Sequence, residues 1–166
     1  MKKKVFQLIV DNTPGVLSRI SGLFTRRGYN IESITAGVTA DPRYTRITIV
    51  ASGEDDVLIQ IQKQVEKLVD VRDVKELKPS ESVFSELALV KVKTDVSTRQ
   101  NVISLSEVFK ASIKDVSPES LIVEMTGSSE KIDTFISLLE GYEILELART
   151  GVAGLGRGTA NVTYLD

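Results

Sequence analysis

The fold is decided by residues 4–28, which read KVFQLIVDNTPGVLSRISGLFTRRG. Residues 4–10 alternate apolar side chains and are rich in β-branched ones, which predicts a strand, and Asn12-Thr13-Pro14-Gly15 then interrupts it. We expect Thr13 to cap the helix that follows, with Pro14 at its first position and Gly28 ending it in a left-handed conformation. The apolar stripe of this helix has helical spacing and consists of Val16, Leu17, Ile20, Leu23 and Phe24.

Further along, the pattern continues with strands and one more helix. Residues 31–39 and 44–51 predict two strands joined by a turn at 41–43. A helix is predicted from Glu54, because acidic residues fill its first turn and apolar residues recur at helical spacing up to Leu68. Residues 69–77 close the unit as a strand. The order β-α-β-β-α-β is the ferredoxin-like arrangement.

The same order recurs about 80 residues later, after a polar break. Predicted strands lie at 86–93, 111–116, 121–127 and 142–148, and predicted helices lie at 98–109 and 129–139. The sequence therefore predicts an α+β chain of two consecutive ferredoxin-like βαββαβ domains, at 1–78 and 86–150, with a linker at 79–85 and a Gly-rich tail at 151–166. Because each domain is small, we expect the sheets of two copies to join in a homodimer.

Composition excludes several classes of function. The 166 residues include no cysteine and no histidine, which rules out thiol nucleophiles, Ser-His-Asp triads and zinc or Fe–S sites. A net charge of −2 without a basic block argues against a nucleic-acid partner. The longest apolar run is four residues, too short to span a membrane, and the N-terminus lacks a secretory core, so we expect a cytoplasmic protein.

Two candidate ligand features emerge from the first domain. The turn before the first helix offers unpaired backbone N–H groups and a positive dipole end, which suit a carboxylate or phosphate, while Gly15 permits close approach. An ordinary turn and helix cap is the alternative interpretation. Asn30 either faces a second copy of this turn across a dimer interface or occupies a left-handed position after Gly28 and Tyr29.

Other features carry little chemistry. The tail Gly151-Val152-Ala153-Gly154-Leu155-Gly156-Arg157-Gly158 lacks the pattern of a nucleotide loop and is expected to be flexible, with ordering on a partner protein as the alternative. The acidic clusters at 54–56 and at Asp70 and Asp73 are typical of helix-start and strand-flanking charges, so no metal site is predicted. RNA binding is a further alternative, although the third strand lacks the stacking aromatic residues that it needs.

Residues 12–33, NTPGVLSRISGLFTRRGYNIES, closely resemble the small regulatory subunit of acetolactate (acetohydroxyacid) synthase, and the similarity extends over essentially the whole chain, through 62–71 and 148–152. The resemblance implies an N-terminal ACT domain, an amino-acid-sensing module, and a C-terminal ferredoxin-like domain. It also implies that this chain is not catalytic. An ACT-type amino-acid sensor that acts on some other partner is the alternative within the same class.

In this family a separate large subunit holds thiamine diphosphate, FAD and magnesium and performs the reaction, so no cofactor is expected in this chain. The small subunit raises that activity and confers feedback inhibition by branched-chain amino acids, chiefly valine, in branched-chain amino-acid biosynthesis. The resemblance therefore implies three partners: the large catalytic subunit, a second copy of this chain joined through the ACT domain, and L-valine.

The resemblance also implies an effector site at the ACT dimer interface. The expected site residues are Asn12, Gly15, Val16 and Leu17 of one copy with Asn30 and Ile31 of the other. Backbone N–H groups at Gly15, Val16 and Leu17 would receive the valine carboxylate, and Asn12 would accept from its ammonium group. Asn30 would add a hydrogen bond, and Val16 and Ile31 would line a small apolar slot.

Overall fold

The computed structural model describes residues 1–159 and divides the chain into two compact units. Unit 1 is Met1–Val83 together with Val152–Asp166, and unit 2 is Phe84–Gly151. The chain thus leaves unit 1 once and returns to it at its end. The tail, expected to be flexible, instead forms a short strand at Ala153–Gly156; residues 160–166 lie outside the described part.

Unit 1 has the predicted β-α-β-β-α-β order. Its elements are β1 (Lys2–Asp11), α1 (Val16–Arg27), β2 (Asn30–Val38), β3 (Tyr44–Gly53), α2 (Asp55–Glu66) and β4 (Val71–Leu77), and the short strand that returns after unit 2 is β9 (Ala153–Gly156). The antiparallel sheet has the order β2-β3-β1-β4, which leaves β2 and β4 at its edges.

One face of this sheet packs against both helices. Phe6 and Leu8 of β1 meet Ile47 and Ile49 of β3 on that face, because these residues alternate with outward-facing ones along each strand. The helices contribute the apolar residues Val16, Ile20, Leu23, Phe24, Leu58, Ile61 and Val65. Leu17, expected in the stripe, is 50% exposed instead, because it lies on the rim of α1 rather than on its buried face.

Unit 2 repeats the arrangement. A short 3₁₀ turn (Pro79–Glu81) replaces the first part of the predicted linker, and β5 (Ser82–Lys93) begins within the rest of it. The remaining elements are α3 (Arg99–Val108), β6 (Ser112–Ser117), β7 (Ser120–Gly127), α4 (Ser129–Leu138) and β8 (Ile144–Arg149). The strand order β6-β7-β5-β8 matches that of unit 1, which confirms the predicted α+β class and the two βαββαβ units.

Candidate functional site

The turn between β1 and α1 is built on a glycine in a left-handed conformation. Gly15 has φ 84° and ψ −5° and occupies the N-cap position of α1, where no side chain accepts a hydrogen bond from the helix. The prediction that Thr13 caps this helix is therefore wrong. The positive φ places Gly15 in the region that glycine tolerates best, and the first N–H groups of α1 have no partner within the helix.

The side chains that follow Gly15 point in different directions. Val16 is 4% exposed, and its side chain packs in the core of unit 1 rather than on the surface beside the turn. Leu17, by contrast, presents its side chain to the surface beside the turn. The exposed apolar side chain at this helix end is Leu17.

Asn12 is held in place by the loop between β2 and β3. Its backbone N–H donates to the carbonyl of Arg43 at 2.8 Å, and its side-chain Nδ2 donates to the carbonyl of Pro42 at 3.0 Å. The Thr45 hydroxyl donates to Asn12 Oδ1 at 3.2 Å. This network assigns Oδ1 as the acceptor end of the amide, and a carbonyl oxygen can accept a second hydrogen bond.

That loop is clamped by its own charges. Asp41 accepts from the backbone N–H of Arg43 at 3.0 Å and from its guanidinium at 2.7 Å. The hydrogen bonds from the Arg43 side chain and backbone lower the pKa of Asp41 below its ordinary value, so the carboxylate stays ionised at neutral pH. The ion pair of Asp41 and Arg43 thus stabilises the loop whose Pro42 and Arg43 carbonyl groups accept hydrogen bonds from Asn12.

Two more ion pairs surround the turn. The Arg72 guanidinium donates to both oxygens of Asp11 at 2.8 and 2.9 Å, directly before the turn. Arg19, one helical turn beyond Gly15, pairs through Nε with Asp70, and its Nη1 lies 3.0 Å from the position that a Cβ on Gly15 would take. An ion pair whose guanidinium faces Gly15 therefore stands next to the turn. The i, i+4 spacing of Gly15 and Arg19 on a helix is the signal that could have identified it.

Asn30 and Ile31 lie at the opposite end of the sheet. Asn30 pairs with Ser52 in β3, which also pairs with Lys3 near the start of β1, whereas Asp11 at the other end of β1 pairs with Tyr44. The eight residues from Lys3 to Asp11 correspond to about 26 Å, at about 3.3 Å per residue. One copy of the chain therefore groups Asn12, Gly15, Val16 and Leu17 but does not bring Asn30 and Ile31 to them.

Local contacts also hold the side chains of Asn30 and Ile31 at that far end. Asn30 Nδ2 donates to the Ser52 hydroxyl at 2.8 Å, which directs the amide carbonyl of Asn30 away from Ser52. Ile31 is half-buried against the core of unit 1. A polar group and an apolar group are thus presented together at the start of the edge strand β2.

Chemically, the turn suits a small anion better than a cation. Uncapped N–H groups and the positive end of the α1 dipole favour a carboxylate at this position, and the Arg19 guanidinium, which pairs with Asp70 through Nε, brings Nη1 close to Gly15 as a further donor. Within residues 1–159, no group of three or more acidic residues is arranged to hold a metal ion. No helix in the same range is long and apolar enough to cross a membrane.

Comparison with known proteins gives consistent matches. The family model described as "AHAS small subunit-like ACT domain" matches residues 6–73, and that described as "Small subunit of acetolactate synthase" matches residues 85–158. A relative named "Probable acetolactate synthase small subunit" from Methanothermobacter thermautotrophicus is 49% identical over 93% of each chain. The acetolactate synthase small subunit of Bacillus subtilis is 47% identical over 95% of this chain and 92% of its own.

The fold is likewise that of a solved relative. The crystal structure of the acetolactate synthase small subunit from Thermotoga maritima superposes with a TM-score of 0.89 at 38% identity, covering 96% of this chain and all of that one. Both units are included in these matches, and the turn of residues 12–17 lies within the matched ACT domain. The chain therefore belongs to the acetolactate synthase small-subunit family.

Proposed function

We propose that this chain is the non-catalytic regulatory subunit of acetolactate synthase, which activates the large catalytic subunit and makes it sensitive to feedback inhibition by valine. Family membership supports the partner, because a small subunit implies a large one. The observation that carries the effector site is the uncapped N-terminus of α1, where Gly15 leaves the backbone open beside Arg19. The cofactors of the reaction, thiamine diphosphate, FAD and magnesium, belong to the large subunit in this proposal.

A homodimer through β2 would complete the site. β2 is an edge strand, and two copies that pair along it in antiparallel fashion place the Asn30 end of one strand beside the Val38 end of the other. Val38 pairs with Thr45, whose hydroxyl holds Asn12. Asn30 and Ile31 of one copy thus approach the Asn12 turn of the second copy, although the two features are about 26 Å apart within one copy.

The polar groups of this composite site match those of an amino acid. The carboxylate meets the backbone N–H groups of Gly15, Val16 and Leu17 at the positive end of the helix dipole. The free lone pair of Asn12 Oδ1 accepts from the ammonium group, and the Asn30 carbonyl of the second copy adds a further acceptor. Leu17 and Ile31 line the apolar slot in this proposal, since the Val16 side chain is buried in the core.

Such a slot distinguishes amino acids by the size of their side chains, and it weakens the binding of larger ones without excluding them. One methylene changes binding in an apolar pocket by about 1–3 kcal/mol, so leucine and isoleucine are expected to bind more weakly than valine. Inhibition further requires that valine bind one arrangement of the complex more tightly than another. By linkage, the large subunit then changes the affinity of this chain for valine.

Reconstitution with the large subunit tests this function, using Gly15→Asp as the main variant. An aspartate carboxylate at position 15 occupies the place of the effector carboxylate and pairs with Arg19, so valine inhibition is lost while activation of the large subunit is retained. Gly15→Asn is the matched control, because it brings the same bulk to the same left-handed position without the charge. We expect Gly15→Asn to retain part of the inhibition.

Two results would count against the proposal. Unchanged valine inhibition in Gly15→Asp would remove the turn from the effector site. A wild-type chain that fails to raise the activity of the large subunit at all would contradict the regulatory role itself. Leucine and isoleucine, tested beside valine in the same assay, would show whether the apolar slot ranks the three effectors as expected.

A further inference from the structure

The end of the chain crosses the face of the unit 1 sheet that is turned away from the helices. Residues 152–157, which we call the strap, contact successive strands in the order of the sheet. The Val152 N–H lies 3.5 Å from the Ser33 hydroxyl in β2, and the carbonyl of Gly154 accepts from Arg46 of β3 at 2.6 Å. At β4, the Lys75 ammonium lies 3.6 Å from where a Cβ on Gly156 would stand.

A polar pair of a buried glutamine and a half-buried arginine lies under the middle of the strap. Gln7 in β1 is 3% exposed, and its Oε1 accepts from the same Arg46 nitrogen that donates to Gly154. Arg46 therefore joins β1, β3 and the strap through one guanidinium group. Hydrogen bonds from a charged donor are roughly twice as strong as neutral ones, so this contact is the strongest single side-chain contact described for the strap.

Besides these contacts, the strap contains the short strand β9, which pairs with β5. The central apolar side chain of the strap, Leu155, is 62% exposed, and Gly154 and Gly156 have no side chain to bury. At its far end the Arg157 N–H donates to the carbonyl of Glu81 at 2.8 Å. In the described chain the Nε2 amide of Gln7 is buried without a hydrogen-bond partner, which disfavours the seated state. Polar contacts and backbone pairing, rather than apolar burial, therefore hold the strap.

We infer that Arg46 is a positioning residue, which seats the strap across the sheet and through it restrains β2. The strap begins at Ser33, three residues along β2 from Asn30, so its seating limits the motion of the strand that carries Asn30 and Ile31. The expected effect of the strap on valine binding rests on the proposed function, whereas the seating of the strap and its restraint of β2 do not.

Hydrogen exchange of the full-length chain tests the inference, with Arg46→Gln as the variant. We expect the strap amides, and those of β2 near Ser33, to exchange at least about tenfold faster, because one charge-assisted hydrogen bond is lost. Amides in the middle of α1 should be unchanged. Arg27→Gln removes an equal charge from the helix side, where Arg27 contacts Gln64 at 3.0 Å, and should change neither the strap nor β2. Arg46→Lys keeps the charge and should give an intermediate rate.

Several results of the exchange experiment would contradict the inference. Unchanged exchange in the strap of Arg46→Gln would overturn the seating role, and equal acceleration in the strap and α1 would show general loosening of unit 1 instead. Faster strap exchange with unchanged β2 would overturn the restraint of β2. A valine titration of the same variants is expected to show at least about threefold weaker binding in Arg46→Gln. If valine binds neither the wild-type chain alone nor its complex with the large subunit, the proposed effector role fails, and exchange at β2 still decides the role of the strap.

Discussion

At the scale of single residues, Glu86 in unit 2 is the most deeply buried acidic partner among the ion pairs of residues 1–159. Its carboxylate accepts from two nitrogens of Arg149 at 2.6 and 3.0 Å and from the Ser129 hydroxyl at 2.7 Å. The hydrogen bonds from Arg149 and then Ser129 outweigh burial and lower the pKa of Glu86 below its ordinary 4.5. β5, α4 and β8 therefore meet at one charged group.

Replacing this carboxylate should reveal its contribution through pH. Because the folded pKa of Glu86 is lowered, its stabilisation is present above about pH 4.5 and is lost as the pH falls through the lowered value. We expect Glu86→Gln to lower the free energy of unfolding by about 2 kcal/mol at pH 7. Urea denaturation at several pH values should show the difference from wild type shrinking below pH 4.5.

A matched variant controls for the loss of charge. Glu146 pairs with Lys91 at 3.1 Å, and its side chain is 75% exposed, so Glu146→Gln should change stability by less than about 1 kcal/mol. A difference between wild type and Glu86→Gln that stays constant with pH would show that packing, rather than the ion pair, accounts for the loss.

At the scale of elements, the end of α1 is set by backbone conformation. Gly28 has φ 68° at the C-cap, as predicted, and no atom lies within 4 Å of the position that a Cβ would occupy. Gly28→Ala therefore meets no steric clash and isolates the cost of a left-handed alanine, about 1 kcal/mol. Urea denaturation measures this loss in the free energy of unfolding.

Gly37 in β2 provides the comparison, because its Cβ position is equally open and its φ is not in the left-handed region. Gly37→Ala should leave stability unchanged or raise it slightly. Equal destabilisation by both substitutions would mean that α1 does not depend on the left-handed cap.

Sequence patterns predicted the elements well because their periodicities are local. Alternation along β1 and the stripe of α1 depend on neighbours within the same element, and the repeat then supplied unit 2. The N-cap was missed because Thr13 and Gly15 both suit a cap, and only the backbone path decides between them. The exposure of Leu17 was missed because it depends on where the rim of α1 lies against the sheet.

Predicting the strap from the sequence was harder for a different reason. Its glycines are typical of a flexible segment, and the residue that seats it, Arg46, lies 108 positions earlier. No local pattern connects a β-strand arginine with a distant carbonyl group. The proposed effector residues come from the family resemblance, and only the three-dimensional structure shows that Asn30 and Asn12 lie at opposite ends of one sheet.

At the scale of the whole molecule, dimerisation through β2 can be tested with one edge residue from each unit. Val38 in β2 is 60% exposed, and Val116 in β6, the equivalent edge of unit 2, is 59% exposed. In the proposed dimer, Val38→Asp brings a carboxylate near Glu32 of the second copy and should weaken association about tenfold or more. Val116→Asp should leave association unchanged.

Light scattering at micromolar concentration measures both effects. The wild-type chain and Val116→Asp should show twice the monomer mass of 18.2 kDa, and Val38→Asp should shift toward the monomer. A wild-type chain that remains monomeric would contradict the dimer, and a dimer broken only by Val116→Asp would place the interface on unit 2.

The proposed effector site is tested most directly by thermal unfolding of the purified chain during titration with L-valine, with D-valine and L-threonine as controls. A ligand at 100 times its dissociation constant adds about 2.7 kcal/mol to the stability of the state that binds it. We predict that L-valine raises the unfolding temperature, that D-valine and L-threonine do not, and that Gly15→Asp removes the response. If L-valine shifts the unfolding temperature neither of the chain alone nor of the chain with the large subunit present, the effector site at the Gly15 turn is contradicted.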